Sequence, residues 1–148
     1  MKHSEFRYIR RVEFSDTDMA GIVHFSRFFI FMETAEHAFY RSLGFSVSGD
    51  IEGHFVTWPR LEVQCQYKKP LRFEEEVEIH LLIREIRNKT IRYEVVFRRV
   101  HPEPVEEVAR GSLTIVCITM QEGVMKSIPI PDMIRNQLEA TTVDVPSV

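Results

Sequence analysis

The segment FFIFMETAEHAFYRSLG runs from Phe28 to Gly44 of this 148-residue chain and predicts its central helix. Its apolar residues recur at steps of three and four, which is the period of a helix with one buried face. They are Phe28, Phe31, Met32, Ala35, Phe39 and Leu43, and the stripe is widened by Phe29, Ile30 and Ala38. We expect a helix of about four or five turns, ending near Gly44 and covered on most of its circumference. The pattern places polar residues on the other side, namely Glu33, Glu36, His37, Tyr40 and Arg41.

On both sides of this helix the apolar period falls to two, which is typical of strands with one covered face. One such segment precedes the helix, at 6–14, and four follow it, at 56–67, 75–86, 90–100 and 105–119. Short links join the last four, and short links favour antiparallel neighbours. The order β-α-β-β-β-β therefore predicts an α+β fold, in which an antiparallel five-stranded sheet wraps around one long central helix.

The length of the chain fits one domain, which we assign to residues 1–140. A short helix is predicted at 132–140, and residues 141–148 are predicted to form a flexible tail. With 44% hydrophobic and 28% charged residues, the composition is that of an ordinary globular protein. The net charge of −3 argues against a nucleic-acid partner, and no apolar run is long enough to predict a membrane span.

The two cysteines, Cys65 and Cys117, lie within alternating apolar segments and not in spaced pairs. This placement predicts free thiols and hence a reducing compartment, so we expect a cytoplasmic protein. The six histidines are scattered without ligand spacing, so we expect no metal site. The run Gly44–Ser48 comes close to a nucleophile elbow but lacks its closing glycine.

The stretch RVEFSDTDMAGIVHF, residues 11–25, is where we expect the chemistry. It places two carboxylates, Asp16 and Asp18, in a turn before the helix, where free N–H groups and the helix dipole favour negative charge. Free donors there can hold the oxyanion formed when an acyl carbonyl is attacked, and a carboxylate can activate water or attack the carbonyl itself. The alternative is structural, because these residue types also cap helices and form turns. Spacing alone favours that alternative.

The run Arg11-Val12, followed by 17–23 with the sequence TDMAGIV, resembles the signature of the 4-hydroxybenzoyl-CoA thioesterase family. The resemblance covers nearly the whole chain and implies the hotdog fold and hydrolysis of an acyl-CoA to a carboxylic acid and CoA. It also implies a homodimer or homotetramer with the site between subunits, and no cofactor beyond the CoA of the substrate.

The same resemblance assigns roles to single residues of this chain. Asp18 corresponds to the catalytic acid, as a nucleophile or a general base, and the Phe25 backbone N–H to the group that polarises the thioester carbonyl. Asp16 is expected to hold the turn. Members of the Tol–Pal-associated type carry Tyr-His where this chain has His24-Phe25, so His24 either assists catalysis or only lines the pocket.

A second candidate site is the predicted hairpin tip at 87–90, with the sequence RNKT. Arg87, Lys89 and Thr90 can hold the phosphates of a CoA tail, although a solvated hairpin tip is the plainer interpretation. The family carries a basic triplet at this turn, of which two residues are basic here. Trp58 either walls the acyl pocket or packs in the core. Lys68, Lys69 and Arg72 either add phosphate contacts or are simply solvated.

Two other functions stay open at this point. The first is a non-catalytic module that binds acyl-CoA on the same fold, which has no need for an acid beside the thioester. The second is a dehydratase of the same fold, which requires a His/Asp or His/Glu arrangement that the sequence does not display. An acyl-CoA thioesterase is the function that the resemblance, with its Asp18–Gly21 motif, implies.

Overall fold

The apolar stripe of residues 28–43 lies on helix α1 (Arg27–Ser42) in the computed structural model, which describes residues 1–147. On the side of α1 that faces the sheet, the side chains of Phe31, Met32 and Ala35 are fully buried. The helix ends where the sequence predicted, because Gly44 adopts a φ of 90° and the Phe45 N–H donates to the Tyr40 carbonyl at 2.9 Å. The outer side of the helix leaves Ile30 exposed, so the helix is less fully covered in one chain than predicted.

Residues 1–147 contain strands of very different lengths. They are β1 (Glu5–Arg11), β2 (Gly49–Ile51), β3 (His54–Val56), β4 (Arg60–Tyr67), β5 (Glu76–Ile86), β6 (Thr90–His101), β7 (Glu106–Val116), β8 (Ile118–Gln121) and β9 (Val124–Ser127). Five of them form the main sheet in the order β1-β5-β6-β7-β4, with every neighbouring pair antiparallel. The inner face of this sheet packs on α1, as the two periods predicted.

Two predicted strands are divided in the structure. The segment 56–67 is interrupted at Trp58 and Pro59, and 105–119 is interrupted at Cys117. Proline has no N–H to donate to a ladder, which explains the first break. The pieces β3 and β8 instead join small hairpins, β2–β3 and β8–β9, which are too short to show a period. The predicted helix 132–140 is also shorter, since α2 covers only Asp132–Arg135.

Strand β4 lies at one edge of the sheet, and its inner face is uncovered. Leu61, Val63 and Tyr67 are 61%, 42% and 46% exposed, although they alternate as a core face. The reason is that α1 lies mainly over β5 and β1 and touches β4 little. One chain therefore presents an apolar strip along a free strand edge.

The segment that the sequence assigned to a flexible tail lies on the outer face of the sheet. The Thr141 N–H donates to the Ile83 carbonyl at 2.8 Å, and Arg110 donates to the Val145 carbonyl at 2.8 Å. The mobility of this segment and the division at residue 140 stay predictions, and Val148 lies outside the described residues. None of the helices in residues 1–147 has the length and hydropathy that a bilayer crossing requires.

Candidate active site

Asp16 fixes the loop that leads from β1 into α1. Its fully buried carboxylate lies 2.8 Å from Arg27 and 3.2 Å from Arg10, and it accepts a hydrogen bond from the Glu13 N–H at 2.8 Å. Arg10, which interrupts the apolar alternation of β1, thus turns inward, with its guanidinium 4.8 Å from the centre of the Phe31 ring. Asp16 therefore has the turn-holding role that the resemblance implied.

Asp18 begins a tight loop with one carboxylate oxygen left open. The Asp18 N–H donates to the Ile22 carbonyl at 2.9 Å, and the Gly21 N–H donates back to Asp18 at 3.0 Å. Gly21 has a φ of 80°, a conformation that other residue types rarely adopt. The Ala20 N–H donates to Oδ1 of Asp18 at 2.8 Å, whereas Oδ2 has no hydrogen-bond partner within residues 1–147. The half-buried carboxylate is therefore held in place while one oxygen stays available.

Residues 24–26, which lead into α1, include one backbone N–H that donates no hydrogen bond within residues 1–147. The His24 N–H donates to the Asp16 carbonyl at 2.9 Å, and the Ser26 N–H donates to the His24 ring at 3.3 Å. The His24 carbonyl accepts from Arg27 at 2.9 Å, and the Phe25 carbonyl accepts from the Tyr67 hydroxyl at 2.9 Å. The Phe25 N–H donates to no atom of residues 1–147, so it is available to a ligand.

Asp18 and Phe25 line one cavity of about 570 Å³. The cavity lies between the loop and the link that follows β4, and most of its lining is apolar. Its walls are formed by Asp18, Ile22, Val23, Phe25 and Phe28 on one side and by Tyr67, Lys68, Lys69, Pro70, Leu71 and Arg72 on the other. The structure thus brings together an open carboxylate oxygen, an unused N–H and an apolar space, which are the elements that acyl transfer needs.

The cations at this cavity differ in how they are paired. Lys68 forms an ion pair with the buried Glu107, and Lys69 lies 2.9 Å from Glu106. The Arg72 guanidinium has no carboxylate partner among the described residues. Of these three cations, Arg72 is the one whose charge is free to meet an anionic ligand.

His24 does not line the cavity. Its Nδ1 lies 2.8 Å from the Ser26 hydroxyl, and its ring centre lies 4.5 Å from that of Phe25. These contacts shape the loop around the Phe25 N–H. A direct part for His24 in catalysis stays a prediction.

The hairpin at 87–90 lies at the opposite end of the sheet from Asp18. The Asp18 loop contacts the link that precedes β5, since the Val23 N–H donates to the Leu71 carbonyl at 2.7 Å, whereas the hairpin follows the end of β5. The eleven residues of β5 span about 35 Å at about 3.3 Å per residue. Within one chain the Asp18 loop and the hairpin at 87–90 are therefore too far apart to contact the same thioester group.

The hairpin itself has two accessible cations. The Arg87 N–H donates to the Thr90 carbonyl at 2.8 Å and closes the turn. The Arg87 side chain is 71% exposed and lies 2.8 Å from Glu85, and the Lys89 ammonium donates to the Ser127 hydroxyl at 3.3 Å. The Arg87 guanidinium is thus largely exposed beside Glu85, and the half-buried Lys89 lies beside Ser127.

Trp58 lines a second cavity, of about 340 Å³, and not the one that holds Asp18. Its buried ring centre lies 6.0 Å from that of Tyr40. Beside it the carboxylate of Glu36 lies 2.6 Å from Arg60. Burial raises the pKa of Glu36 above its usual value, and the Arg60 guanidinium opposes that rise. The helical period had placed Glu36 and Tyr40 on the exposed side, and this was wrong. Arg60 covers Glu36, and Tyr40 packs against Trp58 and Tyr93.

Known proteins resemble this chain in sequence and in fold. The family model described as the thioesterase-like superfamily matches residues 12–138. A putative esterase from Aquifex aeolicus is 34% identical over 125 residues, which cover 84% of this chain and 91% of that protein. The structure of a gentisyl-coenzyme A thioesterase is 33% identical with a TM-score of 0.74, covering 87% of this chain and 98% of that one.

A 1,4-dihydroxy-2-naphthoyl-CoA thioesterase from Synechocystis shares the fold at a TM-score of 0.79 and 22% identity, covering 90% of this chain and 95% of that one. The predicted sheet wrapped around a central helix is thus confirmed. Since the family model spans most of the residues and relatives above 30% identity match along most of their length, the chain belongs to the thioesterase-like superfamily and is a thioester hydrolase with the hotdog fold.

Proposed function

We propose that this enzyme hydrolyses an acyl-CoA to a carboxylic acid and free CoA, with Asp18 as the general base or nucleophile. The observation that carries the proposal is the pairing, in one largely apolar cavity, of an open Asp18 oxygen with the unused Phe25 N–H. The gentisyl-coenzyme A thioesterase, at 33% identity, supports CoA as the carrier of the acyl group.

Two routes lead from this geometry to the products. In the first, the Asp18 carboxylate takes a proton from water, and the resulting hydroxide attacks the thioester carbonyl carbon. In the second, the carboxylate attacks that carbon itself and forms a mixed anhydride, which water then hydrolyses. In both, the Phe25 N–H stabilises the oxyanion, the C–S bond breaks, and the sulfur of CoA leaves as a thiolate that takes up a proton. Neither route requires a cofactor or a metal ion.

The walls of the cavity fit an aromatic or an aliphatic acyl group. Phe25, Phe28 and Tyr67 provide flat apolar surfaces, and the Phe28 ring meets the Tyr67 ring edge-on with centres 5.2 Å apart. Aromatic and alkyl groups gain similar free energy from such surfaces. We therefore propose both classes as substrates to be tested.

We propose that the complete site forms between two copies of the chain. The exposed inner face of β4 and its free edge fit pairing with β4 of a second copy. In one chain the Tyr67 end of β4 lies at the Asp18 cavity, whereas the Arg60 end lies towards the hairpin, since Arg60 pairs with Ile115 and Thr90 with Val116. Antiparallel pairing about a twofold axis brings these two ends together.

This assembly resolves the separation seen within one chain. The second copy brings its Arg87 and Lys89 to the CoA phosphates and its Trp58 cavity beside Asp18. A homodimer is the smallest assembly that does so, and a homotetramer contains it twice. We also propose a cytoplasmic location, where the free thiols Cys65 and Cys117 stay reduced.

A hydrolysis screen tests the function. The purified chain is incubated with acetyl-, hexanoyl-, palmitoyl-, benzoyl- and 4-hydroxybenzoyl-CoA, and free thiol is followed over time. We expect at least one of these to be hydrolysed with multiple turnovers. Tight binding of all of them without thiol release would instead identify a non-catalytic binding module.

A further inference from the structure

Tyr67 links the two walls of the Asp18 cavity. It is the last residue of β4, and its hydroxyl donates to the Phe25 carbonyl at 2.9 Å across 42 positions of sequence. Its ring packs edge-on against Phe28, with centres 5.2 Å apart. One side chain from the edge strand therefore reaches the residue that carries the unused backbone donor.

The other hydrogen bonds of residues 24–26 are made on their own side of the cavity. The His24 N–H is held by Asp16, and the Ser26 N–H by the His24 ring. Within residues 1–147, the Tyr67 hydroxyl is the one group from the opposite wall that bonds to these three residues. The Phe25 N–H lies in the peptide plane of the His24 carbonyl, which accepts from the Arg27 N–H at 2.9 Å. The Tyr67 hydroxyl holds the next peptide plane through the Phe25 carbonyl, so the two bonds together set the direction of the Phe25 N–H.

We propose that Tyr67 is a positioning residue, which aims the Phe25 N–H at the developing oxyanion through its hydrogen bond to the Phe25 carbonyl. This inference rests on the proposed function. The Tyr67 ring lines the wall of the cavity, but its hydroxyl contacts neither the thioester carbonyl nor the attacking group; it fixes the Phe25 donor that contacts the carbonyl. An oxyanion donor is effective only when its direction is set before the reaction, because reorientation during the reaction costs free energy.

The chemistry of the hydroxyl suits this task. Partial burial and the neighbouring Cys65 thiol raise the pKa of Tyr67 to about 12, so the hydroxyl keeps its proton throughout the neutral range. The ring also keeps its contact with Phe28 when the hydroxyl is removed, because that contact is made by the ring. The hydrogen bond can therefore be deleted without emptying the wall of the cavity.

The test compares Tyr67→Phe with Tyr8→Phe. The control removes the hydroxyl of a half-buried tyrosine on β1 that makes no hydrogen bond within residues 1–147. We expect Tyr67→Phe to lower kcat about tenfold, with KM within a factor of about two, because an oxyanion donor acts mainly in the transition state. We expect Tyr8→Phe to keep the wild-type kcat. The substrate is the acyl-CoA of the screen that is hydrolysed fastest.

Two further measurements separate positioning from other roles. Amide hydrogen exchange in a peptide containing residues 24–26 is expected to be faster in Tyr67→Phe than in Tyr8→Phe, and the shape of the pH profile of kcat is expected to be unchanged. A Tyr67→Phe enzyme with wild-type kcat, or with an unchanged exchange rate, overturns the inference while leaving the proposed function intact. A fall in kcat beyond about a thousandfold with loss of a pH limb overturns it too, since Tyr67 then takes part in the proton transfer. A wild-type chain that hydrolyses no acyl-CoA overturns the proposed function itself.

Discussion

Asp16 and Arg27 form an ion pair of 2.8 Å between a fully buried carboxylate and the first residue of the long helix. Two positions further along, the Asp18 carboxylate keeps one oxygen without a partner among the described residues. The two acids of this short motif thus have different roles. Asp16 holds the loop, and Asp18 is left available to a substrate.

Asp16→Asn is expected to lower stability. Removing one partner of a buried ion pair leaves the other charges without compensation, and because both arginines are partly exposed we expect the free energy of unfolding to fall by about 2–3 kcal/mol. Urea denaturation measures this, with Asp18→Asn as the matched control. Equal free energies of unfolding for the two variants would contradict the structural role assigned to Asp16.

Glu107 gives the unfolding free energy a pH dependence at low pH. Hydrogen bonds from Arg110 and Lys68 lower the pKa of Glu107 from 4.5 to about 2. A depressed carboxyl pKa contributes stability that is present above 4.5 and is lost as the pH falls towards 2. We expect Glu107→Gln to be less stable than the wild type by about 1–2 kcal/mol at pH 7, after allowance for solvent screening.

The measurement is urea unfolding of both proteins at a series of pH values. The difference between wild type and Glu107→Gln is expected to shrink between pH 4.5 and pH 2. A difference that stays constant over that range shows that the Glu107 pKa is not depressed by folding.

Val63 is expected to control assembly. An aspartate there places a charge on the exposed apolar strip of β4, so we expect Val63→Asp to sediment as a monomer and to lose turnover. Val105→Asp is the control, because Val105 is 39% exposed, close to the 42% of Val63. Val105 lies in the link between β6 and β7 and not on β4. A Val63→Asp variant that remains a dimer rules out β4 as the interface.

The hairpin cations are expected to act on substrate binding. We expect Arg87→Ala with Lys89→Ala to raise KM about tenfold or more and to leave kcat nearly unchanged, since a phosphate contact far from the thioester binds ground and transition states alike. Lys126→Ala, an exposed cation on β9, is the control.

Mixed dimers show which copy supplies the hairpin. A dimer of one Asp18→Asn chain and one chain with both hairpin substitutions contains one complete site only if the hairpin serves the other copy. Below the raised KM, we expect such a mixture to exceed the activity of either parent. If it does not, the hairpin and Asp18 of one chain serve the same site.

The long elements of this fold could be predicted from the sequence, because each repeats its period several times. The hairpins β2–β3 and β8–β9 could not, since strands of three or four residues repeat it at most twice. In the candidate site, Asp18 and Phe25 could be predicted because both lie in one short motif, residues 11–25. Tyr67 carried no such signal, because its partner Phe25 is 42 positions away, and Glu36 was misplaced because the strand that covers it is distant in sequence.

Asp18→Asn removes the charge on which the proposed hydrolysis depends. The substitution keeps the shape of the side chain and an oxygen that can accept from the Ala20 N–H, but it removes the negative charge. With the fastest substrate of the screen, we predict a fall in kcat of about 100-fold or more and a thermal unfolding midpoint close to that of wild type. Asp50→Asn, at an exposed position on β2, should keep full activity. A folded Asp18→Asn enzyme with wild-type kcat contradicts the account.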